Sequence, residues 1–502
     1  IDLGHPKVSF HALFGSPLYE GQLTGSHTYQ SSAGSDEAEL KMSLVPLLFG
    51  TLKATVFATL FAVPLAVLAA IYTSEFLSPR SRRLVKPAIE LMASLPSVVL
   101  GFIASMVVAP ILAERLPQLL TCLISVPLAV LLGAHLWQLV PPSLSPRARS
   151  SRQVALVGVC AALGIGAGLV LTPTFNALFT PSRADTLVRA GSFSPAPAEQ
   201  VPAWIGDRRT LESAEIRRLR EAGLAFRAGR VVVPVEPAPE RTAEVEATIA
   251  RYDLDKPDLR AWLDGTIGAA APGWIATLFP LTLIASWITL HWLTGPLLRA
   301  QATQPRVALV SLVRFAAILL AAVLLALGLA HALAALGHDP RDSILGPFSV
   351  RNSLVVGIIM GFAIIPIIYT IADDAMRGVP NSLRLASLGA GATPWQTSIR
   401  VVLPVAASGI FSACMIGLGR AVGETMIVLM ATGNSAEMSW NIFSGFRTLA
   451  ANIAVELPES DVGSTHYRIL FLCGLLLFAL TFVINTTAEV VRQYFRRKNA
   501  NL

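Results

Sequence analysis

Charge is scarce in this sequence. Asp, Glu, Lys and Arg make up only 14% of its 502 residues while 53% are hydrophobic, a balance that excludes an ordinary soluble domain and calls for several membrane spans. No Gly-rich loop ending in Gly-Lys-Ser/Thr occurs, so the chain has no P-loop to cradle a nucleotide phosphate. A Ser/His/Asp constellation and a His-Glu-x-x-His helix are missing as well, which leaves no catalytic residue and no cofactor to assign. Cysteine is rare: Cys122, Cys160, Cys414 and Cys473 each sit in an apolar run without short paired spacing, the pattern of small buried residues and not of a metal site. The net charge of +7 is no nucleic-acid signal, because positive charge in a membrane protein collects in cytoplasmic loops.

What is abundant is long apolar runs separated by short basic joints. The first covers residues 44–72, interrupted only by Lys53, and leads into SPRSRRLVK with Arg80, Arg82, Arg83 and Lys86. Residues 84–94 then predict an interfacial helix bearing a solvated Glu90, and Pro96 opens a second run to about residue 113. Further runs occupy residues 119–140, 154–171, 274–298, 307–336 and 354–372, with joints SPRARSSR and RAQATQPR. Short basic loops stay in the cytoplasm, so Arg147, Arg306, Arg384 and Arg496 are expected inside. His135, His291 and His331 lie in these runs and read as polar residues packed between helices, not as metal ligands.

The only sizeable polar region inside the chain is residues 172–273. SRADTLVRAGSFSPAPAEQVP reads as a linker, residues 211–222 before Gly223 as a short helix, LAFRAGRVVVPV as a small hairpin and residues 242–252 as another helix. Its near-balanced charges predict a small solvated domain, and the alternation of spans puts it outside the cytoplasm.

The stretch at residues 379–434 is the most informative. NSLRLASLGAGATPWQTSIRVVLP reads as two short helices, residues 381–388 and 395–403, split by Gly389 and Gly391, with Pro394 at a helix start and Pro404 as the stop. A compact, mildly basic helical pair between two spans suggests docking of another protein. The apolar run that follows carries Arg420 and Glu424 well inside it. Continued as helix, their spacing would set both on one face as a mutually neutralising pair; charge at that depth is costly and so is a functional candidate, the alternative being a helix-stabilising pair near the membrane edge.

This stretch resembles the coupling loop of ABC-importer permeases. With Gly391 at the family's Gly, Val401 falls at the Ile position after nine intervening residues, Leu403 and Pro404 complete the pattern, and Ala386 and Ser387 take the small positions. Leu385 stands where the family usually has Glu. GLGRAVGETM and, earlier, PAIELMASLPSVVLGF resemble the PstC-type permeases of the phosphate-specific (Pst) transporter. The resemblance covers residues 43–110 and 350–498. It implies an all-α, polytopic, MetI-like helical bundle in the bacterial inner membrane, with Arg420 and Glu424 in the substrate pathway and inorganic phosphate as substrate. It also implies a second, PstA-like permease subunit, a PstB-like ATP-binding dimer and a PstS-like extracytoplasmic phosphate-binding protein. Permeases of this branch usually begin with a span, whereas Ile1 opens a polar stretch, so a fragment or a missing first span is expected.

The expected organisation is an extracytoplasmic segment (residues 1–42), a first part of the permease core (43–118), an inserted four-span unit (119–340) with an extracytoplasmic α/β domain at about 173–273, and a second part of the core (341–502). Two other readings stay open: an ion-coupled secondary transporter, which would not need the helical pair, and a membrane sensor or scaffold working through the extracytoplasmic domain.

Overall fold

The computed structural model describes residues 9–19, 24–31, 41–139, 146–205, 215–216, 218–219, 222–227, 230–299 and 304–500. Among these residues nine helices are long and apolar enough to cross a membrane. The chain divides into two compact units, residues 1–113 with 349–502, and residues 114–348.

In chain order, after a short helix at Phe10–Phe14 and a two-stranded hairpin, the first unit contains α1 (Val45–Ile71), α2 (Pro79–Met92) and α3 (Ser97–Ile103). The second contains α4 (Leu116–Trp137), α5 (Pro146–Ala177), α6 (Pro239–Arg251), α7 (Ala271–Arg299) and α8 (Gln304–Ala335). The first unit resumes with α9 (Ser353–Arg377), α10 (Asn381–Gly389), α11 (Pro394–Thr397), α12 (Leu403–Val422), α13 (Met426–Ala431), α14 (Leu449–Glu456) and α15 (Thr465–Ala500). At 27 residues, α1 is roughly 40 Å long, enough for a bilayer core of ~30 Å.

The first unit is built on small residues, because lipid tails are as apolar as leucine and helices in a bilayer associate by close backbone approach. Ala54, Ala58, Ala62, Ala66 and Ala70 recur every fourth residue of α1 and are all at most 1% exposed. Gly357 and Gly361 of α9 meet this stripe: a Cβ on Gly361 would stand 2.7 Å from Phe61 Cδ1 and 3.3 Å from the Ala58 carbonyl oxygen. On its other side α9 receives α12, where a Cβ on Gly417 would lie 2.5 Å from Ile368 Cγ1 and one on Gly409 2.4 Å from Ala375 Cβ.

The second unit repeats the device in two antiparallel helix pairs. Gly164 and Gly168 of α5 lie against α4, where Ser125 Oγ donates to the Gly164 carbonyl at 2.7 Å and the Thr121 and Thr172 hydroxyls meet at 3.0 Å. Ala322, Ala326 and Ala330 give α8 its own fully buried stripe. The polar domain is α/β. The antiparallel hairpin of Ala225–Arg227 with Arg230–Pro234 forms as expected, and Phe193–Pro195 adds a third strand beside it. That strand and a helix at Arg183–Arg189 correct the linker reading of this stretch. Ser182 accepts from the Asp185 backbone N–H while the Asp185 carboxylate accepts from the Ser182 N–H, a capping box that fixes the helix start; Pro195 is tolerated because the strand lies at the sheet edge. Most of the short helix expected over residues 211–222 lies outside the described residues. Beneath the domain, Arg341 pairs with Asp339 at 2.6 Å and lies 4.8 Å from the centre of the buried Trp262 ring.

Candidate functional site

The helical pair forms as the sequence indicates, up to its second end. Gly391 takes φ of +87°, a left-handed turn that a β-carbon would strain. Thr393 Oγ1 accepts from the Gln396 N–H and Gln396 Oε1 accepts from the Thr393 N–H, so α11 starts in a complete capping box with Pro394 in its first turn. The Ser387 and Thr397 hydroxyls, 2.9 Å apart, tie α10 to α11. Pro404 is no stop: a π turn at Ser398–Val402 carries α11 into α12, and Val401, Leu403 and Pro404 belong to this continuous rod. The wider π turn re-registers the hydrogen bonds where proline has no N–H to give.

No residue of α10 is buried. Leu385 is 68% exposed and Trp395 54%, with Leu383 and Leu388 also exposed and Ala386 beside them. This apolar face is held on a polar underside. Arg384 grips the Glu75 carboxylate at the end of α1 with both arms of its fork, Nη2 to Oε1 at 3.0 Å and Nε to Oε2 at 3.2 Å, and donates to the Met376 carbonyl at 2.7 Å. Nearby, Lys86 of α2 bridges Asp373 and Asp374 at 3.4 and 2.7 Å, Thr73 donates to Asp373 at 3.2 Å, and Arg82 Nε donates to the Thr73 carbonyl at 2.7 Å. The side chain of Asp373 is fully buried. Sequence reading assigned Arg82 and Lys86 only to a basic joint and did not single out Glu75 or Asp373.

Arg420 and Glu424 do not share a helical face. The helix ends at Val422 with Gly423 as its cap, and Glu424 lies half-buried in the break before α13. No ion pair joins the two among the described residues. Arg420 is exposed in the last turn of α12 and lines a groove of about 450 Å³ against α15, together with Gly419, Asn485, Glu489 and Arg492. Glu489 already holds Arg492 at 2.8 Å, whereas Arg420 has no hydrogen-bond or ion-pair partner among the described residues. The C-terminal helix dipole favours a cation there by ~0.3–1 kcal/mol, which is the purely structural account of the residue.

A second polar cluster was not foreseen. The carboxylate of Glu456 accepts from Tyr29, from Ser31 at 2.5 Å and from His466 at 2.7 Å, and pairs with Arg447 at 2.8 Å. Burial alone would raise its pKa; these hydrogen bonds and the Arg447 charge outweigh burial and hold it below the ordinary carboxylate range. The same burial and the neighbouring carboxylate push the Tyr29 phenol up. Lys53, fully buried in α1, donates to the Asn441 carbonyl at 2.8 Å and to Ser444 Oγ at 2.9 Å.

A bundle of apolar helices carrying a projecting helical pair and a basic groove makes this a multi-pass inner-membrane protein. Residues 278–500 match the family described as binding-protein-dependent transport system inner membrane component. That match begins inside α7, and so takes in residues that the sequence reading had placed in the inserted unit. Over part of its length the chain is similar to permeases of the PstC type. It is 38% identical over 144 residues to the phosphate transport system permease protein PstC of Mesorhizobium japonicum, covering 29% of this chain and 44% of that protein. It is 36% identical over 154 residues to PstC 1 of Mycobacterium tuberculosis (30% and 46%) and 32% identical over 156 residues to PstC of Xylella fastidiosa (31% and 48%). The chain thus spans about half the length of the curated relatives it matches. No solved structure matches it.

Proposed function

We propose that this chain is a permease subunit of an ATP-driven ABC importer for inorganic phosphate, forming part of the pathway and coupling to a separate ATPase. The observation that carries the reading is Arg420: an exposed guanidinium, without a carboxylate partner among the described residues, in a groove where the neighbouring arginine is already neutralised. A planar fork of N–H donors matches the oxygens of phosphate. Glu424, in the break one residue beyond the cap, is the acidic neighbour that keeps an anion from being held too tightly; a pathway must admit an ion and also release it. The exposed apolar face of α10 and α11 supports docking of a PstB-like ATPase dimer, with a PstA-like permease subunit and a PstS-like binding protein completing the assembly. Similarity to phosphate transport system permeases supports phosphate as the substrate.

The test is ATP-driven uptake of labelled phosphate into vesicles that contain all four kinds of subunit. Arg420→Gln is expected to assemble and lose uptake, and Arg420→Lys to lose part of it because a point charge lacks the fork. An assembled Arg420→Gln complex that transports at the normal rate would make Arg420 a helix-end cation and no more.

A further inference from the structure

The second unit holds a cavity for which the transport reading has no use. Its volume is about 310 Å³, it lies among α4, α7 and α8, and its wall is mostly apolar, with Leu131, Leu283, Ile284, Trp287 and Ile318. Ile284 and Trp287 are each more than half exposed, so the wall continues onto the face that meets lipid. Set into it are two basic side chains, Arg314 and His135, beside Ser311.

Hydrogen-bond accounting separates these polar groups. Ser311 Oγ lies 2.8 Å from the Ala308 carbonyl and 3.1 Å from Gln138 Oε1, both acceptors for its proton. The imidazole of His135 stacks on Phe315 with centroids 4.6 Å apart, and its Nδ1–H donates to the Leu131 carbonyl at 2.8 Å, which leaves Nε2 as the ring's remaining polar atom. Arg314 is half-buried and has no acceptor among the described residues for any of its five donors. A guanidinium within a span needs a partner, from the protein or from the membrane.

Depth and sidedness identify that partner. The apolar stretch of α8 begins at Val307, and Arg314 lies roughly 10 Å further along the axis at 1.5 Å per residue. The basic joint RAQATQPR ahead of it sets this end at the cytoplasmic leaflet, the side rich in anionic lipid. A guanidinium whose long stem reaches back from that depth toward the headgroups, over a pocket of aliphatic and aromatic side chains, complements an amphiphile with an anionic head.

We propose that this cavity binds an anionic phospholipid of the cytoplasmic leaflet. The Arg314 fork holds the phosphodiester, the His135 ring flanks it, and one acyl chain lies along Leu283, Ile284 and Trp287. The assignment is independent of what the permease transports. An arginine that merely snorkelled toward the interface would show no preference among headgroups.

The experiment uses the full chain in nanodiscs of phosphatidylcholine containing a minor fraction of either phosphatidylglycerol or phosphatidylcholine brominated on the acyl chain. The Trp287 signal is read as the fluorescence difference between the wild-type protein and Trp287→Phe. Brominated phosphatidylglycerol should quench that component several-fold more strongly than brominated phosphatidylcholine. Arg314→Gln should bring the ratio to unity and Arg314→Lys should keep part of it, both variants eluting as monodisperse protein. Equal quenching by the two lipids in the wild-type protein would overturn the proposal, as would an unchanged ratio in Arg314→Gln. Displacement of the phosphatidylglycerol signal by added inorganic phosphate would assign the site to the free anion and overturn the lipid assignment.

Discussion

Breaking the Arg384–Glu75 pair tests whether the helical pair is a mechanical part of the bundle or a loop laid on it. The two side chains are 17% and 9% exposed and meet in a two-pronged geometry, so Arg384→Gln leaves a largely buried carboxylate without its cation. Removing one partner of a fully buried pair costs ~3–5 kcal/mol, and the residual exposure here lowers that to about 2 kcal/mol. Because α10 buries no residue of its own, the loss should appear as local opening and not as global unfolding: about 2 kcal/mol is a ~30-fold increase in the open population. Amide hydrogen exchange over residues 381–397 would read that increase, while the thermal transition of the whole protein stays within a degree or two. Glu75→Gln in the same background should restore much of the protection, since two neutral amides leave no buried charge, and the double-mutant cycle then gives the coupling directly. Wild-type exchange in Arg384→Gln would mean that α10 is held by its connections alone.

Three further outcomes follow from the same geometry. Gly361→Leu drives a side chain into Phe61 and the Ala58 backbone, and should destabilise the first unit by ~1–3 kcal/mol, read as a lower aggregation temperature in detergent; an unchanged temperature would mean that α1 and α9 can separate freely. Gly391→Val meets open space but forces a β-branched residue to φ of +87° at a cost of ~1–2 kcal/mol; phosphate uptake should fall while the amount of protein in the membrane stays constant, and undiminished uptake would remove the coupling role. Glu456 has a folded-state pKa below that of the unfolded chain, so its ionisation stabilises at pH above the unfolded value of ~4.3 and that contribution is lost as pH falls through the lower folded value. Protease cutting near Tyr29 should therefore rise only below about pH 4, and Glu456→Gln should cut readily at neutral pH; equal resistance of the two proteins at pH 7 would detach Glu456 from this role.

How far the sequence could be read follows from the range of each interaction. Thr393, Pro394, Gln396 and Gly391 act within one or two turns, so local pattern was enough to draw the helical pair. The spans were legible because burial in lipid is a property of composition, and most of their ends shifted by only a few residues, the exception being the span Pro394–Val422, which both starts and stops earlier than its apolar run. The capping box of Ser182 and Asp185 is equally local, yet the Pro- and Ser-rich composition around it masks its signal, so a helix and an edge strand look like linker in sequence. Two local rules also misled. Pro404 normally stops a helix, but the π turn before it absorbs the missing donor; residues four apart normally share a face, but Gly423 ends α12 between Arg420 and Glu424.

The site's supports were beyond reach for a different reason. Glu75 and Arg384 are separated by 309 positions, and Tyr29 and Glu456 by 427, so nothing in the neighbourhood of either residue marks it as paired. Glu75 and Glu456 each stand at the end of an apolar helix, where a solvated side chain would look the same in sequence. Only the packing of α1 against α9 by alanine and glycine decides that Glu75 comes within reach of Arg384, and that packing depends on the absence of side chains. The exposed face of the helical pair is therefore specified twice, once by local caps that shape it and once by small residues far away that set the cation's partner in place. A substitution in the alanine stripe of α1 should on this account loosen residues 381–397 without touching them, and amide exchange of that segment in Ala66→Val would show whether the two specifications are linked.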